Sequence, residues 1–309
     1  MTPTESQVLE AFRRPPNTLI DVGHSRLAYR RFGRGPDVLF VHGWPLHSAT
    51  FRRLVPLLAG ELTCHVFDLP GTGQTQWQAD APIDFASHAA TTRRLLDALG
   101  LERVALLAHD SGGTVARLLA AEDPRVAALV LGNTELPGHK PWLVDFYVRA
   151  LRLPGGTAML RTLMRSGAVR RSFLGFGGCF TDPAFVDGDF REHFVDPWLA
   201  SPEVAEGQIR VLRSIDWTFV DRISEIHARI GVPVRLIWGT DDPFFPIERA
   251  RRMLDQFGGR ADLQEIPGAK LFAHEDHPRE FAAHAKAFLL DALARDRAGS
   301  QTAQERALD

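Results

Sequence analysis

The sequence predicts an α/β fold: a mostly parallel central sheet with helices on both faces, opened midway by an inserted helical cap. Three observations carry this reading. Short runs rich in Val, Leu and Ile alternate with amphipathic helical patterns, the rhythm of strands joined by crossover helices. The runs lack a clean polar–apolar alternation, as befits strands buried on two faces. Between Pro137 and about Ile230 the rhythm lapses, and helical patterns are broken by LPGGT and SFLGFGGCF.

Taken in order, RLAYRRFG (26–33) is the most polar run and belongs near an edge. DVLFVHG (37–43), LTCHVFDLPG (62–71), VALLAHD (104–110) and VAALVLGN (126–133) read as central strands. PVRLIWG (233–239) and ADLQEIPG (261–268) resume the sheet after the insertion. Phe85, His88, Thr92, Leu95, Leu96 and Leu99 fall at three- and four-residue steps, one face of a helix. Pro246 suits the first turn of a helix running to about Phe257, ended by Gly258. Pro278 opens a last helix. The expected organisation is core at 15–136, cap at 137–230, core again at 231–297, and an unstructured tail at 298–309. The Gly–Phe run at 172–180 reads either as a mobile apolar pocket wall or as a tight packed bend.

The chain has 309 residues, 45% of them apolar, enough to bury a large core. A net charge of −2 argues against a general nucleic-acid surface, which needs a basic excess. Of the 36 basic residues only Lys140, Lys270 and Lys286 are lysine. Cys64 and Cys179 lie too far apart in sequence to suggest a disulfide framework. The N-terminal stretch has no apolar core of a secretory signal, and no run of 18 apolar residues occurs. These features lead us to expect a cytoplasmic protein with no membrane or nucleic-acid partner, an open oligomeric state and a small apolar substrate. No metal-ligand spacing and no Gly-rich phosphate cradle is seen, so no cofactor is expected.

The stretch LLAHDSGGT (106–114) places two reactive residues, Asp110 and Ser111, at a strand-to-helix turn. Such a turn is crowded, so the residues two before and two after its tip must be small. With Asp110 at the tip those neighbours are Ala108 and Gly112; with Ser111 they are His109 and Gly113, and His109 is too bulky. Steric logic selects Asp110, and Ser111 stays as the minor alternative.

HGWP at 42–45, DLPGTG at 68–73, AHDSGG at 108–113, NT at 133–134 and WGTDDPFFP at 238–246 stand in this order along nearly the whole chain. Together they resemble the α/β-hydrolase superfamily, in the branch that holds haloalkane dehalogenases and epoxide hydrolases. The resemblance implies the α/β-hydrolase fold and Asp110 as a nucleophile toward a saturated carbon, forming an alkyl ester that water then hydrolyses. It implies an oxyanion site on the backbone N–H groups of Trp44 and Ser111. By the family's Gly-x-x-Asp pattern, counted from Gly239, the orienting acid is Asp242 rather than Asp241. Some members carry that acid after the sixth strand, where Asn133 and Glu135 stand here.

The base departs from the pattern. Family members resemble Gly-His-Phe-x-x-Glu-x-x-Pro before the last helix; anchored on Glu275 and Pro278, this chain has Lys270-Leu271-Phe272, with Leu271 at the histidine position. A leucine accepts no proton. Either His274, one helical turn on, takes over, or His274 is a structural hydrogen-bonder and the protein is base-deficient: the ester forms and hydrolyses slowly, or ligands bind without turnover. His277, directly before Pro278, and His109, beside Asp110, are weaker alternatives. A serine esterase using Ser111 is the remaining rival.

For the substrate, dehalogenases of this type usually carry a tryptophan after the nucleophile; Ser111 stands there, leaving Trp44, Trp142 and Trp198 as other indole donors. Fluoroacetate-type relatives have an arginine at that place, which is missing. Epoxide hydrolases generally offer two lid tyrosines, and only Tyr147 lies in the lid. The pocket is therefore expected to be lined by His42, Trp44, Trp142, Tyr147 and Leu271, with His42 also supporting the oxyanion loop.

Overall fold

A computed structural model describes the backbone of residues 3–306 and the side chains of residues 3–296. Of the tail expected to be unstructured at 298–309, the backbone of residues 298–306 continues the last helix and residues 307–309 lie outside the described residues. Among the described residues nine strands form one sheet: β1 Thr18–Asp21, β2 Ser25–Gly33, β3 Asp37–Val41, β4 Thr63–Phe67, β5 Gln76–Trp77, β6 Val104–Ala108, β7 Val126–Gly132, β8 Val234–Gly239 and β9 Ala261–Ile266. The order is β1-β2-β4-β3-β6-β7-β8-β9, with β5 pairing on β2. From β4 to β9 every pairing is parallel, whereas β2 runs antiparallel to β1, β4 and β5.

All six apolar runs form strands, and β3, β4, β6, β7 and β8 are buried almost throughout. The run ADLQEI differs: as β9 it closes the sheet and is only half-buried, which is why it alternates polar and apolar residues. RLAYRRFG sits one strand in from the edge, because the short hairpin strand β1 covers it. Neither β1 nor β5 is long enough to leave a periodic signal.

Helix Phe85–Ala98 packs on helix Ser111–Glu122, which lies against β6 and β7; the last helix, Pro278–Arg306, packs on β7, β8 and β9. Pro246 serves as N-cap of helix Ile247–Met253, followed by a 3-10 turn to Gln256. Between β7 and β8 the described chain is helical and contains no strand, and no described helix is long and apolar enough to cross a membrane. In this insertion the Gly–Phe run is a packed bend that also walls the cavity described below. A Cβ on Gly175 or Gly177 would strike the carbonyls of Val169 or Arg171.

The parallel register sets the strand ends level, with Val41 opposite Ala108, Gly132 opposite Ile237 and Gly239 opposite Ile266. Loops leaving β3, β6, β7, β8 and β9 therefore converge at one rim, where open parallel sheets hold their sites.

Candidate active site

Asp110 follows β6 and caps helix Ser111–Glu122 with φ 49° and ψ −138°; it is the one non-glycine residue at positive φ among the described residues. Such a conformation costs about 1–3 kcal/mol and persists only where neighbours over-determine it. They do here. The Asp110 N–H donates to the Asn133 carbonyl at 2.9 Å, and Thr134 Oγ1 donates to the Asp110 carbonyl at 2.7 Å. A Cβ on Gly43 would collide with the Asp110 side chain, one on Gly112 with the Val41 and His42 carbonyls, and one on Gly113 with Thr134. Gly112 is thus required for the reason the sequence implied, and Gly43 and Gly113 are required as well.

The Asp110 carboxylate accepts from the backbone N–H groups of Ser111 and Trp44, the two donors expected at an oxyanion site. Its pKa nonetheless stands well above the usual carboxylate value: burial is the main cause, and the Glu135 and Asp242 carboxylates add to it. The Trp44 N–H also donates to Ser111 Oγ at 2.8 Å, which turns that hydroxyl onto the backbone. Ser111 lines a separate, smaller cavity behind Trp44 instead of the one Asp110 faces.

Asp242 lies in the loop after β8. Its Oδ2 accepts from Asn133 Nδ2 at 2.6 Å and its Oδ1 from the Phe244 N–H at 2.8 Å. Burial raises its pKa to about 7 despite these donors. Asn133, which marks the alternative position for the acid, is instead a bracket: its Oδ1 accepts from the Gly239 N–H at 2.9 Å while its amide holds Asp242. Asp241 is exposed and accepts from Thr240.

His274 is not brought to these carboxylates. The helix at this point spans only Ala273–Asp276, so Leu271 precedes it and the two residues do not share a helical face. Arg52 Nη1 grips both Glu275 oxygens at 2.7 and 2.8 Å, which sets the helix so that His274 turns down into the core. There Thr50 Oγ1 donates to Glu275 at 3.1 Å and accepts from His274 Nε2 at 2.6 Å. Among the described residues His274 Nδ1 has no partner, and the ring packs on His109 at 4.1 Å. Burial, with His109 and Arg52 close by, holds its pKa well below the ordinary imidazole value. His109 donates from Nε2 to the Leu271 carbonyl at 3.0 Å, and burial lowers its pKa to about 3. His277 faces Thr181 and Asp276.

A largely apolar cavity opens onto Asp110, the one carboxylate in its lining. Trp44, Tyr147 and Leu271 line it as expected. Two expected residues do not. His42 is a brace for the loop after β3: Nδ1 donates to the Gly43 carbonyl at 3.0 Å and Nε2 accepts from the Leu69 N–H at 3.0 Å. Trp142 faces outward, 63% exposed, and stacks on Phe173. Sequence reasoning missed Cys179, Phe244 and Phe245 in the wall, along with Leu143, which pairs with the expected Tyr147, and the pair Leu160/Met164. The four-residue steps in those two pairs were a signal available from the sequence. The Cys179 thiol is driven well above its usual pKa by burial and by the nearby Asp242 and Asp110. Tyr147 donates to the Leu174 carbonyl, and the Trp44 indole N–H to the Gln208 carbonyl at 2.8 Å. The Trp198 indole N–H has no partner among the described residues.

A nucleophile-type elbow, a bracketed acid and convergent backbone donors at one rim are thus on hand, and a sequence profile of the alpha/beta hydrolase family matches residues 38–284. The chain belongs to the alpha/beta hydrolase family. Within that family it is similar to haloalkane dehalogenases. It is 29% identical to haloalkane dehalogenase 2 of Mycobacterium tuberculosis (strain ATCC 25618 / H37Rv), over 85% of this chain and 91% of that one. A fluoroacetate dehalogenase of a Burkholderia species is 35% identical over 38% of this chain and 39% of its own. The structure of the haloalkane dehalogenase DbeA from Bradyrhizobium elkani superposes with a TM-score of 0.73 at 24% identity, covering 89% of this chain and 97% of that one. The superposition bears on the fold alone. As an alpha/beta hydrolase the chain retains the elbow and the acid loop, and has a leucine facing the cavity where the family pattern puts histidine.

Proposed function

We propose that this hydrolase acts on small alkyl halides through Asp110 and hydrolyses the resulting alkyl ester slowly. An Asp110 oxygen attacks the halogen-bearing carbon, the carbon–halogen bond breaks, and halide leaves with the electron pair. Water must then attack the ester carbonyl, whose developing oxyanion the Trp44 and Ser111 N–H groups are poised to receive. The carbonyl–alkoxy bond breaks, the alkoxide takes up a proton from the attacking water, and the alcohol leaves Asp110 as a free carboxylate. The observation that carries this reading is a single strained carboxylate opening into an otherwise apolar cavity. The dehalogenase relatives support the reaction class. Slow release follows from Leu271 in the cavity wall and from His274 bonded to Thr50 below it.

Among the described residues the Trp198 indole N–H is a wall donor without an acceptor, and it is the donor we assign to the leaving halide. Epoxides are the second reading, favoured by the hydroxyl of Tyr147 in the same wall. That hydroxyl is bonded to the Leu174 carbonyl and must leave it to protonate an opening oxygen. The serine-esterase reading loses ground, because Ser111 Oγ is bonded to the Trp44 N–H and faces the other cavity.

Incubation with 1-bromobutane should give one equivalent of bromide in a burst and a butyl adduct in the intact mass, mapped to Asp110. Asp110→Ala should abolish both. A protein that releases neither bromide nor alcohol and carries no adduct overturns the proposal; rapid steady turnover with no accumulated ester overturns the slow-release half. A diol from an epoxide with no bromide from the halide favours the second reading.

A further inference from the structure

Every large apolar side chain that is strongly exposed among the described residues lies between Trp142 and Leu174, in one helical stretch of the insertion. Trp142 and Leu153 are more than 60% exposed, and Met159 and Leu163 project from helix Gly156–Arg165. Isolated exposed leucines are ordinary, but a cluster confined to one segment marks a surface with a partner.

The same segment is strongly basic. Residues 140–171 hold seven cations and a single acid, Asp145, in a chain whose net charge is −2. Lys140, Arg149, Arg170 and Arg171 pair with Asp221, Asp145 and Asp187, and Arg161 serves the carbonyls of Trp198 and Leu199. Arg152 and Arg165 are exposed and make no ion pair among the described residues. They flank Leu153 and Leu163, so unpaired positive charge sits beside exposed apolar surface.

We propose that residues 142–174 are a membrane-interfacial surface that seats this protein on anionic phospholipid bilayers. Short helices carrying Trp and Leu among arginines suit the headgroup boundary, where the rings and aliphatic chains enter the acyl region and the guanidinium groups meet lipid phosphates. A second copy of the chain fits less well, since a two-fold contact would lay this basic patch against itself and bring Arg152 and Arg165 up to surface of like charge. No spanning segment is required, so the sequence-based expectation of no membrane partner, drawn from the lack of one, does not bear on this surface.

The surface is continuous with the Asp110 cavity. Leu174 is 51% exposed and also lines the cavity. In helix Gly156–Arg165, Leu160 and Met164 face the cavity while Met159 and Leu163 face out. An apolar substrate dissolved in the bilayer would enter between these walls, a consequence that rests on the reading of Asp110 given above; the docking itself does not.

Flotation of the full chain with phosphatidylcholine vesicles, with and without phosphatidylglycerol, tests the docking. Binding should require phosphatidylglycerol and weaken with salt. Arg152→Glu with Arg165→Glu should reduce it on the order of 30-fold, and Trp142→Ser with Leu153→Ser should reduce it comparably. All four side chains are exposed, so the thermal midpoint and bromobutane labelling in solution should stay at the parent values, which separates a docking failure from a failure of the Asp110 chemistry. No flotation at low salt, or flotation unchanged in both double variants, overturns the proposal. So does a dimer in sedimentation that dissociates in the Trp142→Ser, Leu153→Ser variant, because the occupant would then be a second copy.

Discussion

The turn after β6 and the turn after β9 meet at the same rim and differ in what holds them. At the first, backbone crowding does the work: Gly43, Gly112 and Gly113 leave room for one strained geometry, and Asp110 is held in it. At the second, side chains from distant parts of the chain set the shape. Arg52 binds Glu275, Thr50 binds His274, and Asp276 accepts from the Thr181 N–H at 2.8 Å. The first turn keeps its reactive group in the cavity. The second presents Leu271 to the cavity and directs its histidine into the core. On the function proposed above, the scaffold keeps the geometry of nucleophilic attack and lacks the proton acceptor for the next step, because the two turns are secured by independent forces.

The comparison is sharpened most by putting an imidazole back. Leu271→His places a ring in the cavity wall near Asp110, and general-base assistance contributes about 10²–10⁴-fold. Alcohol release after the bromide burst should accelerate within that range while the burst itself is unchanged. An ester that persists as long as in the parent would show that Leu271 is not what limits release.

The next effect is on stability. Arg52→Met strands the fully buried Glu275 carboxylate, a change that costs about 3–5 kcal/mol, readable by urea denaturation. Adding Glu275→Leu should restore most of it. A single variant as stable as the parent would mean that the buried pair does not shape the turn.

His274→Ala should cost about 1–3 kcal/mol through lost packing and the lost bond to Thr50, with ester release at the parental rate. A release rate that collapses in this variant would restore His274 as the base and break the contrast between the two turns.

The smallest expected effect is a pH displacement. Attack needs the Asp110 carboxylate, whose pKa is raised chiefly by burial and in lesser part by the Asp242 charge. The bromobutane burst should therefore quicken as pH rises and Asp110 loses its proton. Asp242→Asn removes one like charge, so the Asp110 pKa falls and the profile of burst rate against pH moves to lower values. A profile that moves upward or stays in place contradicts the coupling.

Much of this could be read from residues in order. The central strands were legible because burial on two faces requires continuous apolar runs, and Asp110 because small neighbours are a local demand of a tight bend. Trp142 was misplaced because its helix carries apolar residues on both faces, one toward the cavity and one outward, and periodicity does not say which is which. β1 and β5 were missed because two to four half-exposed residues carry no period.

The destination of His274 was beyond the reach of any local pattern. Its partner Thr50 lies 224 positions away and the carboxylate beside it is bound by Arg52. Sterics confined to a few consecutive residues are written in the chain itself, and they specify the elbow and the acid that bends through it. Long-range pairing of buried charges exists only once the sheet has closed, and it is this pairing that took the imidazole out of the cavity and left a leucine facing the carboxylate.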